Sequence, residues 1–232
     1  MISVVIPVLN EAALLPGTLA RLRDSGPGCD VVVADGGSVD GSAEAAAAAG
    51  TCAVVRAPRG RARQMNAGAR AARGDILLFL HADCRLGPGW PDAVDGAVRR
   101  HGRIGGCLTQ SVDGEGRLFA AIGGLAMFRA RVLRVYYGDQ GIFVRRDVFD
   151  RLGGFREELP FLEDVELCRR LRRAGPLGIA PAGIRSSVRD WLRHGVFRTM
   201  VRNWGISLLY GAGVPAEELA RWYPALRQPW DG

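Results

Sequence analysis

Polar and acidic residues close three of the apolar runs in this 232-residue chain. Asn10 and Glu11 follow Ile2 to Val8, Asp35 follows Val31-Val32-Val33-Ala34, and His81-Ala82-Asp83 follows Ile76 to Leu80. A carboxylate such as Asp83 is a hard oxygen ligand that a divalent ion could bridge to a diphosphate. Arg59, Arg61 and Arg63 precede or enter a helix, where backbone N–H groups and the macrodipole also favour a phosphate. The adjacent acids Glu163 and Asp164 lead into another helix, a position that the macrodipole alone would favour.

The elements that must hold these residues alternate. A buried strand at Ile2 to Val8 precedes a helix from Ala12 to Arg23, which Ser25-Gly26-Pro27-Gly28 stops. A second strand at Val31 to Ala34 leads through Asp35-Gly36-Gly37-Ser38-Val39-Asp40-Gly41-Ser42 into an alanine-rich helix, with Asp40 or Ser42 as its N-cap. Strands at Cys52 to Arg56 and Ile76 to Leu80 flank a helix within residues 61 to 73. Such alternation predicts a mostly parallel sheet whose ligands sit beyond the carboxyl ends of its strands. The second half is less regular, with a strand at Ile104 to Val112, a helix at Leu118 to Leu133 and a strand at Gly141 to Val144.

Composition narrows the chemistry. All 31 basic residues are arginine, so a lysine nucleophile or Schiff base is excluded, and the net charge is +7. The arginines are spread along the chain without aromatic stacking motifs, which argues against nucleic acid. Five scattered cysteines without a Cys-x-x-Cys pair suit reduced thiols, and the absence of a long apolar run suits the cytoplasm. The turn after the first strand, Pro7-Val8-Leu9-Asn10-Glu11, lacks the glycines that a dinucleotide site requires.

Six segments in order resemble family 2 glycosyltransferases of the GT-A fold. They are Val4 to Glu11, Val33 to Ser42, Arg63-Gln64-Met65-Asn66-Ala67-Gly68, Leu78 to Asp83, Gly138-Asp139-Gln140-Gly141, and Gly153-Gly154-Phe155 with Glu163 to Leu167. Together they span residues 2 to about 173. His-Ala-Asp and Gly-Asp-Gln are similar to the bacterial arsenosugar-biosynthesis or radical-SAM-associated subgroup. The resemblance implies a GT-A type α/β fold, with a mostly parallel central sheet flanked by helices at 1–187 and a helical C-terminal extension at 188–232.

It also implies transfer of a sugar, with inversion, from a nucleotide-diphosphate donor, a UDP-sugar first and a GDP-sugar second, to an unidentified acceptor with the help of Mn²⁺ or Mg²⁺. Pro7, Asn10, Glu11, Asp35, Arg63, Asn66 and Ala82 are the implied donor contacts, with Asp35 accepting from the base. Asp164 is the implied general base, and Asp139, Gln140 and Glu163 line the acceptor side. Asp83 holds the metal; His81 stands where the family's Asp-x-Asp motif has its first acid, as a softer ligand or a packed strand-end residue. Gly36 replaces the second acid of the Asp35 turn. A nucleotidyltransferase and a non-catalytic sugar-nucleotide sensor are the competing readings. The helix around Val196, Met200, Trp204 and Leu208 could pack on its own domain, on a second subunit or on a membrane surface, and Trp222, Tyr223 and Trp230 suit a lid, an interface or packing.

Overall fold

The central strand follows from an unbroken apolar run. Ile2–Val8 (β1) is buried at every position but Pro7, which is half-buried, as a strand covered on both faces must be. Its side chains alternate between two cores: Val4, Ile6 and Val8 enter one, Val5 the other. The computed structural model describes residues 1–114, 117–187 and 195–221.

The first core is covered by α1 (Leu15–Ser25), α2 (Ser42–Ala48) and α4 (Trp90–Asp95), through Leu15, Leu19, Leu22, Ala46, Trp90 and Val94. The second is covered by α3 (Arg61–Ala71), α5 (Arg117–Leu133), α6 (Arg146–Arg151) and α7 (Glu163–Ala174). Phe79, Phe149 and Phe155 meet there with ring centroids 4.8 to 5.5 Å apart. Each fully buried residue of this size contributes about 1.5–3 kcal/mol relative to an exposed one.

The eight strands are ordered β3-β2-β1-β4-β7-β6-β8-β5. Here β2 is Asp30–Asp35, β3 Ala53–Arg56, β4 Ile76–Phe79, β5 Arg85–Leu86, β6 Gly105–Val112, β7 Ile142–Arg145 and β8 Leu177–Ser186. β7 runs antiparallel to β4 and β6, and β5 antiparallel to β8, while the remaining pairs are parallel. The sheet is therefore mostly parallel, as expected.

Three local differences have physical causes. α1 begins at Leu15 rather than Ala12, because Asn10 adopts the left-handed conformation (φ 56°) and Pro16 sets the first helical turn. The cap position of α2 is taken by Gly41, and Asp40 accepts the Ser42 N–H instead. β8 was not anticipated at all: Pro181 and two glycines interrupt its pattern, and a register shift opposite Leu108 and Thr109 accommodates them.

Beyond Ser187, helix α8 (Val196–Gly211) and the short α9 (Ala216–Ala220) pack on the loop before α7 through Ile206, Ala216, Leu219 and Phe161. Tyr137 Oη and Ser207 Oγ are hydrogen-bonded at 2.6 Å. The expected boundary after residue 187 and the aromatic residues 222, 223 and 230 lie outside the described residues.

Candidate active site

The two loops beyond β1 and β2 lock each other. Asn10, Glu11 and Ala12 donate their backbone N–H groups to Ser38 Oγ, Ser42 Oγ and Asp40 Oδ2 at 2.8–2.9 Å, and Asn10 Oδ1 accepts from Val39 N–H. Asp35 is only 2% exposed, and its carboxylate accepts the Gly37 and Ser38 N–H groups. Beneath the Asp35 turn Gln64 Nε2 donates to the Val8 and Ala34 carbonyls. A Cβ at Gly36 would lie 2.8 Å from Gln64 Cδ, so Gly36 and Gln64 fill one space between them.

A cavity of about 600 Å³ opens beyond the strand ends. It gathers Pro7, Glu11, Arg63, His81, Ala82 and Asp83 on one side, and Asp139, Glu163 and Asp164 on the other. The N-terminal turn of α3 also borders it, from Gly60 to Gln64. Four expected residues do not line it: Asn10 and Asp35 hold loops, and Asn66 and Gln140 are buried elsewhere. Asn66 donates to the Phe155 carbonyl and Glu157 and accepts the Phe155 N–H, which fastens the Gly153-Gly154-Phe155 turn. Gln140 is fully buried in the turn Gly138–Gln140, where its Oε1 accepts from Arg129 Nη2 and Tyr137 N–H.

Glu163 and Asp164 begin α7 behind Leu162, a non-glycine residue in the left-handed region (φ 63°). Such backbone is costly and persists where its surroundings impose it. Glu163 Oε1 pairs with Arg61 Nη1 at 3.2 Å. Asp164 accepts the Gly138 N–H through Oδ2 and its neighbour Val165 N–H through Oδ1, both at 2.7 Å. Burial, then the adjacent Glu163 carboxylate, push the Asp164 carboxyl up to about 7, while Arg61 and the two N–H donors oppose the rise. A carboxyl poised there can take a proton near neutral pH.

His81 packs against the Gly138 turn, where a Cβ would come within 2.5 Å of its Nε2. Burial, then Arg61, lower its pKa against the pull of Asp83, Asp139 and Glu163. Burial and the carboxylates of Asp83 and Asp139 hold the Cys84 thiol protonated, so it is no nucleophile. Asp139 Oδ2 accepts from Gln110 Nε2 at 2.6 Å. His81 Nε2 and Asp139 Oδ1 are buried with no hydrogen-bond partner among the described residues. No three His, Cys, Asp or Glu side chains converge on a metal-sized point among the described residues. Asp83, on the cavity wall, is a hard oxygen donor of the kind that Mn²⁺ or Mg²⁺ accepts beside water and phosphate oxygens.

Several lining residues were not anticipated. Arg129 stacks on Tyr137, its Cζ 3.3 Å from the ring centroid, and Gln110, Arg202 and Trp204 reach the same cavity. The one signal for Arg129 was a charge inside the otherwise apolar middle of α5.

Sheet order, strand-end acids and the paired acids at α7 together define a GT-A α/β domain. The chain belongs to glycosyl transferase family 2, whose profile matches residues 3–153. It is 32% identical over 176 residues to an undecaprenyl-phosphate 4-deoxy-4-formamido-L-arabinose transferase of Pseudomonas paraeruginosa, covering 70% of this chain and 52% of that protein. It is 29% identical over 217 residues to a pre-mycofactocin glycosyltransferase of Mycobacterium tuberculosis, covering 84% of this chain and 45% of that one. The chain spans about half the length of these curated relatives. The fold is similar to that of a Pyrobaculum calidifontis mannosyltransferase in complex with GDP-Man and Mn²⁺ (TM-score 0.65, 20% identity, 89% of this chain and 60% of that chain). It is also similar to Staphylococcus aureus TarS in complex with UDP-GlcNAc (TM-score 0.69, 15% identity, 94% and 69%). No helix among the described residues is long and apolar enough to cross a membrane.

Proposed function

We propose that the protein transfers a glycosyl group, with inversion, from a nucleotide-diphosphate sugar to a hydroxyl-bearing acceptor. The observation that carries this reading is Asp164: a buried carboxyl raised to about 7, fixed by Gly138 N–H, on the cavity wall. Asp164 takes the acceptor proton as the acceptor oxygen attacks the anomeric carbon. The bond from that carbon to the β-phosphate oxygen breaks, and the nucleoside diphosphate leaves with the bonding pair. Attack opposite the leaving group inverts the centre.

Arg63 and the N–H groups opening α3 meet the diphosphate, and Arg61 holds Glu163 beside the base. Pro7, Leu9 and Glu11 border the nucleoside side of the cavity; Asp35 acts through the loop it holds. Mn²⁺ or Mg²⁺ bound by Asp83 would neutralise charge on the departing diphosphate. Structural neighbours bound to GDP-Man and UDP-GlcNAc support a nucleotide-sugar donor of either base. The likeness to the arsenosugar-biosynthesis or radical-SAM-associated subgroup rests on His81 to Asp83 and Gly138 to Gln140, and the relatives above do not support it. The acceptor enters between α5 and α8, the helix for which domain packing, a second subunit and a membrane surface were all open.

Calorimetry with UDP- and GDP-sugars, with and without Mn²⁺, tests the donor reading. Binding of one class, retained in Asp164→Asn with turnover lost, is the expected result. If no nucleotide sugar binds, the donor reading fails. If Asp164→Asn keeps turnover, the base assignment fails.

A further inference from the structure

Helices α5 and α8 border the cavity and send Leu125, Ala126, Met200 and Trp204 into it. Both also leave large apolar side chains in solvent. On α5 the exposed positions Leu118, Ala121, Leu125, Phe128 and Val132 recur every three or four residues, which is one stripe of a helix. On α8 Phe197, Val201 and Leu208 share a face in the same way. Phe128 is 60% and Phe197 74% exposed, whereas Phe79, Phe143, Phe149, Phe155 and Phe161 are buried. A monomer gains nothing by keeping these two in water.

Charge selects what covers them. Neither Arg117–Leu133 nor Val196–Gly211 contains Asp or Glu, and Arg131 and Arg198 stand exposed beside the apolar positions, whereas Arg129 is buried against Tyr137. A second copy of a chain with net charge +7 would bring these basic helices against basic helices. An anionic surface complements them, and apolar side chains beside arginines are the pattern of helices that lie in a headgroup layer.

We infer that the α5 and α8 face docks on an anionic lipid bilayer and sets the cavity mouth at headgroup level. The docking stands on the exposed face alone. Its consequence rests on the transferase reading: the acceptor is an amphiphile held in the bilayer, with its hydroxyl reaching Asp164 and its hydrocarbon portion passing Leu125 and Trp204.

The test is flotation of the full chain with phosphatidylcholine vesicles, with and without phosphatidylglycerol, at about 0.1 M and about 1 M salt. The variant Phe128→Ser with Phe197→Ser changes only exposed side chains outside the cavity, and unchanged melting and nucleotide-sugar binding confirm its fold. Binding to the phosphatidylglycerol vesicles alone, weakened by salt and at least ten-fold by the variant, is the expected outcome. Absence of vesicle binding overturns the inference, as does binding that the variant leaves intact. A dimer that the variant dissociates, without vesicle binding, assigns the face to a second copy. Nucleotide-sugar binding measured without vesicles reports separately on the donor reading, so the two can fail independently.

Discussion

A base that is raised by burial must weaken the fold that raises it, and Asp164→Asn measures by how much. The carboxyl rises from 3.8 to about 7, so the folded chain holds its proton more tightly than the unfolded chain does. Stability is therefore fully present below about pH 4, falls as pH rises through the window up to about 7, and stays flat above it. At about 1.4 kcal/mol per unit, the ionised carboxylate costs about 4 kcal/mol at pH 8.5 but only about 2 kcal/mol at pH 5. Asparagine removes that cost at both pH values. It can still accept one of the two N–H groups, from Gly138 or Val165, but not both. The lost hydrogen bond costs about 1 kcal/mol independently of pH. Urea unfolding of both proteins should thus show the variant gaining about 2 kcal/mol on the wild type between pH 5 and pH 8.5, ending more stable although inactive. A gap that does not change with pH, or one that moves the other way, would refute the assignment of the raised carboxyl to this site.

On the role proposed for Asp164, the same proton governs turnover. With saturating acceptor, kcat/KM should climb about ten-fold per unit below pH 7 and level off above it, as a pH-rate profile would show. Arg61→Gln leaves the nearly buried Glu163 without its partner; chemical denaturation should register a loss of about 1–2 kcal/mol, discounted because Arg61 is 38% exposed, and the acid limb of the pH profile should move to higher pH. Gly36→Ala presses a Cβ onto Gln64 and should cost about 1–3 kcal/mol by thermal melting, with Gln64→Ala in the same chain recovering part of it. Gly138→Ala forces the turn off His81 and displaces the N–H that orients Asp164; kcat should fall at least ten-fold while circular dichroism stays unchanged.

The first half of the fold was legible because β-branched runs such as Val31 to Val33 can hardly be anything but buried strands, and each ends in a residue whose type stands out. The acids at 163 and 164 stood out only through the family resemblance, since a helix start favours acids anyway; the structure adds that both are buried, which two adjacent carboxylates cannot be cheaply. A sequence does not show which hydrogen-bonding capacity is already in use. Asp35, Asn66 and Gln140 have the chemistry of binding residues, and each also makes hydrogen bonds that hold the loops around the site. Arg61 shows the converse. It reads as one of three arginines at a helix start, but its partner Glu163 lies 102 residues away, and only the packing of α7 against α3 brings its charge to Glu163 and Asp164. The division is physical: side-chain type and period are local properties, whereas the work a polar group does is fixed by partners that arrive from distant segments. That is why Asp164 could be singled out from the motif around it in the chain, and the rise of its carboxyl only from its neighbours in space.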